Sequence, residues 1–139
     1  MTQIVSLLII EDDDFDFEIM KQTLSTMGVS NPLIRAKNGI EALNLLRGED
    51  GHAALSKPYL IFLDLNMPRM GGMDVLKEIR ADKDLENSTV FIFTSSESDE
   101  DILNADKYNV AGFILKSDIE GSLREAVQSL GFSWCIVAD

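Results

Sequence analysis

One cysteine and one histidine in the whole chain close off several kinds of chemistry. Cys135 stands alone, so no disulfide framework can form, and a reducing cytoplasm is the natural compartment. It reads as a small apolar residue near the C-terminus. His52 lies in a polar stretch from Arg47 to Lys57 that reads as loop. A histidine-based metal site or a Ser-His-Asp triad would have to use it, and nothing nearby supports either. Basic residues are also scarce, with 12 Lys and Arg against 24 Asp and Glu, a net charge of −12. Phosphate contacts need a basic face, so direct nucleic-acid binding is not expected. No apolar run is long enough for a transmembrane helix. Met1-Thr2-Gln3 lacks the basic region that opens a signal peptide, so no membrane role is expected.

What is present is ordinary for a globular protein: 45% apolar and 26% charged residues. A chain of 139 residues can bury a sizeable core, and 1–139 reads as one domain. Five apolar runs read as strands: 4–10, 33–36, 59–63, 89–93 and 111–115. Helical patterns separate them. Phe17, Met20, Leu24 and Met27 lie three and four apart, and Gly28 stops that helix. A second helix runs from Asn38-Gly39 through Leu46 to Gly48. Gly72, Val75, Leu76 and Ile79 fall on one helical face. Ser98-Asp99-Glu100-Asp101 opens a fourth helix that runs to about Tyr108, and Asp118 caps a fifth. Strands alternating with helices predict an α/β fold, a parallel sheet with helices on both faces.

The stretch Tyr59-Leu60-Ile61-Phe62-Leu63 reads as a strand buried on both faces, and Asp64 follows it. Asp64 could simply cap the next helix. The other strand ends point elsewhere. They carry Glu11-Asp12, Thr94 and Lys116, while the second strand contributes nothing comparable. In the doubly wound order 2-1-3-4-5, the ends of strands one and three are neighbours at the switch point where ligands bind. Glu11, Asp12 and Asp64 would then meet. Clustered carboxylates repel one another and need compensation, which a hard divalent cation such as Mg²⁺ supplies. Lys116 offers a fixed positive charge and Thr94 a hydroxyl donor. These are the parts of a phosphoryl-transfer site: a carboxylate nucleophile, a metal and charge stabilisers.

The residues Glu11-Asp12, Leu63-Asp64-Leu65-Asn66-Met67-Pro68, Gly72, Thr94 and Lys116 resemble a response-regulator receiver domain of two-component signalling, the CheY-like, flavodoxin-like fold. The match spans about residues 4 to 131. The text from Leu65 to Met70 and from Thr94 to Ile102 is similar to stand-alone regulators of the cyanobacterial phytochrome type. The resemblance implies that Asp64 is the phosphoacceptor. It implies Mg²⁺ on Asp12 and Asp64 directly, on Glu11 largely through water, and on the backbone carbonyl of Asn66. Thr94 and Lys116 would hold the phosphoryl oxygens, beside the small residue Ser95. Asn66 and Ser96 match positions that tune hydrolysis, and Phe113 matches the switch aromatic that moves when Thr94 is drawn to the phosphoryl group. The implied partners are a sensor histidine kinase and a downstream protein target. Such a protein is a switch, with self-phosphorylation from phosphodonors and autodephosphorylation as its only chemistry. No output domain is expected after the fifth helix, so output would pass through protein contacts.

Two positions depart from the family pattern. Gly71 stands where Asp is common before Gly72. Ser117 stands where the family usually has a cis proline. A non-proline cis bond costs about 2.5–4 kcal/mol, so Lys116–Ser117 is expected to be trans. The apolar tail at 132–139, with Phe132, Trp134, Ile136 and Val137, is expected to pack on the last helix or join a homodimer contact. Three alternatives share parts of the pattern. A Mg²⁺-dependent aspartyl phosphatase of the haloacid dehalogenase type would need its Asp-x-Asp pair after strand one. Flavodoxin would need a phosphate-binding loop there, where four carboxylates stand instead. An interaction module that takes no phosphate is supported only by Ser117.

Overall fold

Ten elements alternate along the chain, strand and helix in turn, in the order the sequence predicts. The computed structural model describes residues 4–95 and 99–130. The strands are β1 (Ser6–Ile10), β2 (Leu33–Ala36), β3 (Tyr59–Asp64), β4 (Thr89–Thr94) and β5 (Gly112–Leu115). The helices are α1 (Asp14–Thr26), α2 (Gly39–Arg47), α3 (Gly72–Ala81), α4 (Asp99–Asp106) and α5 (Ile119–Leu130). Ser98, in the predicted start of α4, lies outside the described residues, as do Ser96 and the tail at 132–139. The sheet runs β2-β1-β3-β4-β5, with every pair parallel. This is the doubly wound order expected from the alternation of elements. No helix among the described residues is long and apolar enough to cross a membrane.

Side-chain caps start α1, α2 and α5. The Asp13 side chain accepts hydrogen bonds from the N–H groups of Phe15 and Asp16 at 2.8 and 3.0 Å. Asn38 accepts from Glu41 N–H, and Asp118 from Gly121 N–H. Each satisfies a donor that the first turn leaves unpaired. Gly48 ends α2 in the left-handed region, at φ 72°. Helix α4 stops at Asp106, short of the expected Tyr108. Asn109 turns the chain there with φ 56°, a conformation asparagine tolerates better than most residues.

Alternation along the strands builds two cores. Leu8, Ile10, Ile61, Leu63, Val90 and Ile92 face α2, α3 and Ala105 of α4. Leu7, Ile9, Leu60, Phe62, Phe91, Phe93 and Ile114 face α1 and α5. The second layer carries the large rings, with Phe62 and Phe91 stacked at 5.6 Å between centroids. Strand β3 is buried over its whole length, as an uninterrupted apolar run in a parallel sheet demands. Each such side chain contributes about 1.5–3 kcal/mol of burial. The central strand is therefore a stiff support, and Asp64 is its last residue.

Candidate functional site

Register decides what meets at the carboxyl edge. Ile10 pairs with Leu63 across β1 and β3, so Glu11 and Asp64 follow side by side. Lys116 N–H donates to Thr94 O at 2.9 Å, which carries the β4–β5 ladder one residue past β5. The acid run after β1, the end of β3 and the lysine after β5 thus converge from three strands. Glu11, Asp12 and Asp64 offer oxygens that all lie within 4.8 Å of one another. Glu11 is fully buried and Asp64 is 2% exposed.

The Lys116 ammonium sits among them. Its Nζ lies 2.6 Å from Glu11 Oε1, 2.9 Å from Asp16 Oδ2 and 3.5 Å from Asp64 Oδ2. The contact with Glu11 is an ion pair approached off the hydrogen-bonding direction, while the one with Asp16 is a hydrogen bond. The Phe93 ring lies beneath, its centroid 5.0 Å from Nζ. The Lys116–Ser117 bond is trans; the cis bond of the described chain is Lys57–Pro58, at the far edge of the sheet. The lysine reaches the cluster without a cis turn because its backbone is still held by the ladder.

Burial and charge together set the proton affinities. Burial drives the Glu11 carboxyl up to about 8, although the Lys116 ammonium and the Asp13 N–H act against the rise. Burial also raises Asp64 above the usual carboxylate range, opposed by its hydrogen bonds and by Lys116. For Lys116, burial disfavours the ammonium, but Glu11, Asp16 and Asp64 outweigh it and hold the group above the ordinary lysine range. Four carboxylates, of Glu11, Asp12, Asp16 and Asp64, face one ammonium, an excess of three negative charges when all are ionised. That excess and the all-oxygen donor set suit a hard divalent cation. The oxygens of Glu11, Asp12 and Asp64 would hold such an ion, which would neutralise their charge.

The remaining predicted residues are placed around this cluster. Thr94 is buried at the end of β4, and Ser95 beside it is exposed. Asn66 N–H donates to Asp64 Oδ1 at 3.0 Å, which fixes the carboxylate's orientation. Phe113 is half-buried on β5 and packs against the core on the α2–α4 side. Gly72 approaches the end of β3 so closely that a Cβ there would meet the Asp64 carbonyl oxygen and lie 2.6 Å from Leu65 Cα. Ser96 lies outside the described residues.

Two residues were missed by sequence reasoning, and one expectation is corrected. The second strand does contribute: Arg35, near the end of β2, reaches the β1–α1 loop. Its signal was visible as the one basic residue in an otherwise apolar strand. Asp16 is the other, a partner of Lys116 four residues after Asp12. No local signal marks it, because its partner lies 100 residues away.

This fold and edge define a class of protein. The chain belongs to the response regulator receiver domain family, whose model matches residues 7–128. It is a receiver-domain response regulator of two-component signalling. Among curated relatives, the response regulator Rcp1 of Synechocystis sp. is 29% identical over 128 residues, covering 92% of this chain and 87% of the relative. The Mn²⁺-bound form of Rcp1 superposes with a TM-score of 0.79 at 25% identity, over 97% of this chain and 99% of that chain. The phosphorylated cyanobacterial phytochrome response regulator RcpA gives 0.81 at 26% identity, over 99% and 100%. The bacteriophytochrome response regulator AtBRR gives 0.84 at 25% identity, over 99% of both chains.

Proposed function

We propose that Asp64 accepts a phosphoryl group from the phosphohistidine of a sensor histidine kinase, and that the modified protein signals through contacts with a downstream protein target in the cytoplasm. The observation that carries this reading is the convergence of Glu11, Asp12 and Asp64 within 4.8 Å around the Lys116 ammonium. An Asp64 oxygen attacks phosphorus, the N–P bond breaks, and the imidazole leaves with the electron pair. Glu11, Asp12, Asp64 and the Asn66 carbonyl are the candidates to hold Mg²⁺. The ion would neutralise the carboxylates and screen the incoming phosphoryl oxygens. Asn66 N–H orients the acceptor. Lys116 already lies 3.5 Å from Asp64 and needs a small shift to reach about 2.7–2.9 Å from a phosphoryl oxygen. Thr94 would supply a hydroxyl to another oxygen, with Ser95 leaving room beside it. Phe113 would report that movement to the β5 edge. Chemistry at the site is limited to self-phosphorylation and loss of the group by hydrolysis.

Acetyl phosphate with Mg²⁺ tests the assignment. Intact-mass measurement should show one added phosphoryl group on the wild type and none on Asp64→Asn. Undiminished labelling of that variant places the acceptor elsewhere.

A further inference from the structure

A guanidinium beside a cation site is an unfavourable neighbour for the metal, yet Arg35 stands there. Arg35 pairs with Ile9 in the β1–β2 register, two residues before Glu11. Its three guanidinium nitrogens each take a different partner. Nε donates to Glu11 O at 3.1 Å, Nη2 to Asp12 O at 3.3 Å, and Nη1 pairs with Asp14 Oδ1 at 2.8 Å. The face of the group lies on the Phe17 ring, 4.6 Å from its centroid. In-plane contacts on three sides and a ring on one face leave the guanidinium little freedom. The side chain is 16% exposed.

The partners matter more than their number. Five carboxylates fall between positions 11 and 16, and their mutual repulsion favours an open loop. Arg35 holds that loop by the carbonyls of its first two members. Glu11 N–H also donates to Ala36 O at 3.0 Å, so the Glu11 residue is tied to the end of β2 on both sides. The backbone that carries the Glu11 and Asp12 carboxylates is therefore held before any cation arrives. Only arginine has the planar fork to span these groups; a lysine ammonium could serve one of them.

We propose that Arg35 is a positioning residue for metal binding, pre-arranging Glu11 and Asp12 through their backbone carbonyls. The inference rests on the reading of Glu11, Asp12 and Asp64 as the metal ligands. Positioning and plain electrostatics predict opposite signs. Removing a positive charge near a cation site tightens cation binding by Coulomb attraction. Removing an outer partner that orients the ligands weakens it, by roughly tenfold or more.

The test is a Mg²⁺ titration of the full chain followed by amide NMR shifts, for wild type, Arg35→Met and Arg35→Lys, well below their melting temperatures. Both variants should bind Mg²⁺ roughly tenfold more weakly. Arg35→Lys keeps the charge and the stem, so its loss isolates the fork and covers the case in which Arg35→Met folds poorly. A melting temperature lowered without metal, with Mg²⁺ affinity unchanged, would assign Arg35 a structural role and overturn the proposal. Tighter binding by Arg35→Met with unchanged binding by Arg35→Lys would also overturn it, in favour of electrostatics. Failure of the wild type to bind Mg²⁺ at these residues would instead sink the metal-site reading itself.

Discussion

Replacing Lys116 with methionine removes the ammonium and keeps the apolar stem over Phe93. Asp64, at 2% exposure, then loses its compensating charge, and the fully buried Glu11, raised to about 8, loses the cation that would meet it as it ionises. Deleting one partner of a buried ion pair costs about 3–5 kcal/mol. Lys116 is 13% exposed, so the lower end applies, about 3 kcal/mol near pH 7.5. In a domain of this size that is a fall of about 10 °C in melting temperature. The loss must depend on pH, because a buried carboxyl can take a proton in place of the missing cation. In the wild type, Glu11 is raised from 4.5 to about 8, so the folded state holds its proton where the unfolded state has released it. The stability from that proton is fully present below about pH 4.5 and is lost as pH rises through about 8. Lys116 holds both carboxyls down, so its removal raises both; Glu11 already keeps its proton over most of the range from about pH 5.5 to about pH 7.5, so the change in that window is mainly Asp64's. Each additional retained proton steepens the decline by about 1.4 kcal/mol per pH unit. The deficit of Lys116→Met should therefore be small at about pH 5.5 and nearly complete two units higher. Millimolar Mg²⁺ should raise the variant's melting temperature more than the wild type's, since it meets carboxylates with no competing ammonium. Thermal melts at the two pH values, with chelator and with Mg²⁺, decide the matter. A deficit of equal size at both would refute the reasoning and leave only lost packing.

Gly72→Ala should destabilise the protein by about 1–3 kcal/mol, because its Cβ would meet backbone that cannot yield. Gly71→Ala is the control: its Cβ would meet only Leu65 O, at 3.8 Å, so chemical denaturation should show no loss. Displacement of Asp64 should also slow acetyl-phosphate labelling of Gly72→Ala, by intact mass. Arg80→Met removes hydrogen bonds to the carbonyls of Tyr108, Glu86, Ser88 and Asn109. That should cost about 2–4 kcal/mol in urea unfolding. Labelling of Asp64 in Arg80→Met should stay unchanged, since those carbonyls lie at the amino ends of β4 and β5, away from the site.

The sequence by itself determined the number, type and order of the elements, and with them which residues end each strand. Period-two and period-3.6 patterning act locally, and a run such as Tyr59 to Leu63 can be buried on both faces only in a parallel sheet. Glu11, Asp12, Asp64, Thr94 and Lys116 were legible for that reason, as the polar residues that interrupt apolar runs. Tertiary structure alone decided which of them touch. Lys116 divides its ammonium among Glu11, Asp16 and Asp64 because β1, β3 and β5 end at one level, and no local pattern carries that distance. Asp16 looked like one more solvated acid on a helix until Lys116 arrived beside it from 100 residues away. Arg35 looked like an isolated charge on a short strand. Its partners are backbone carbonyls, which every residue has, so side-chain identity could not name them. The proton affinity of Glu11 is likewise a property of its burial, and burial exists only once the strands have paired and the helices have closed over them.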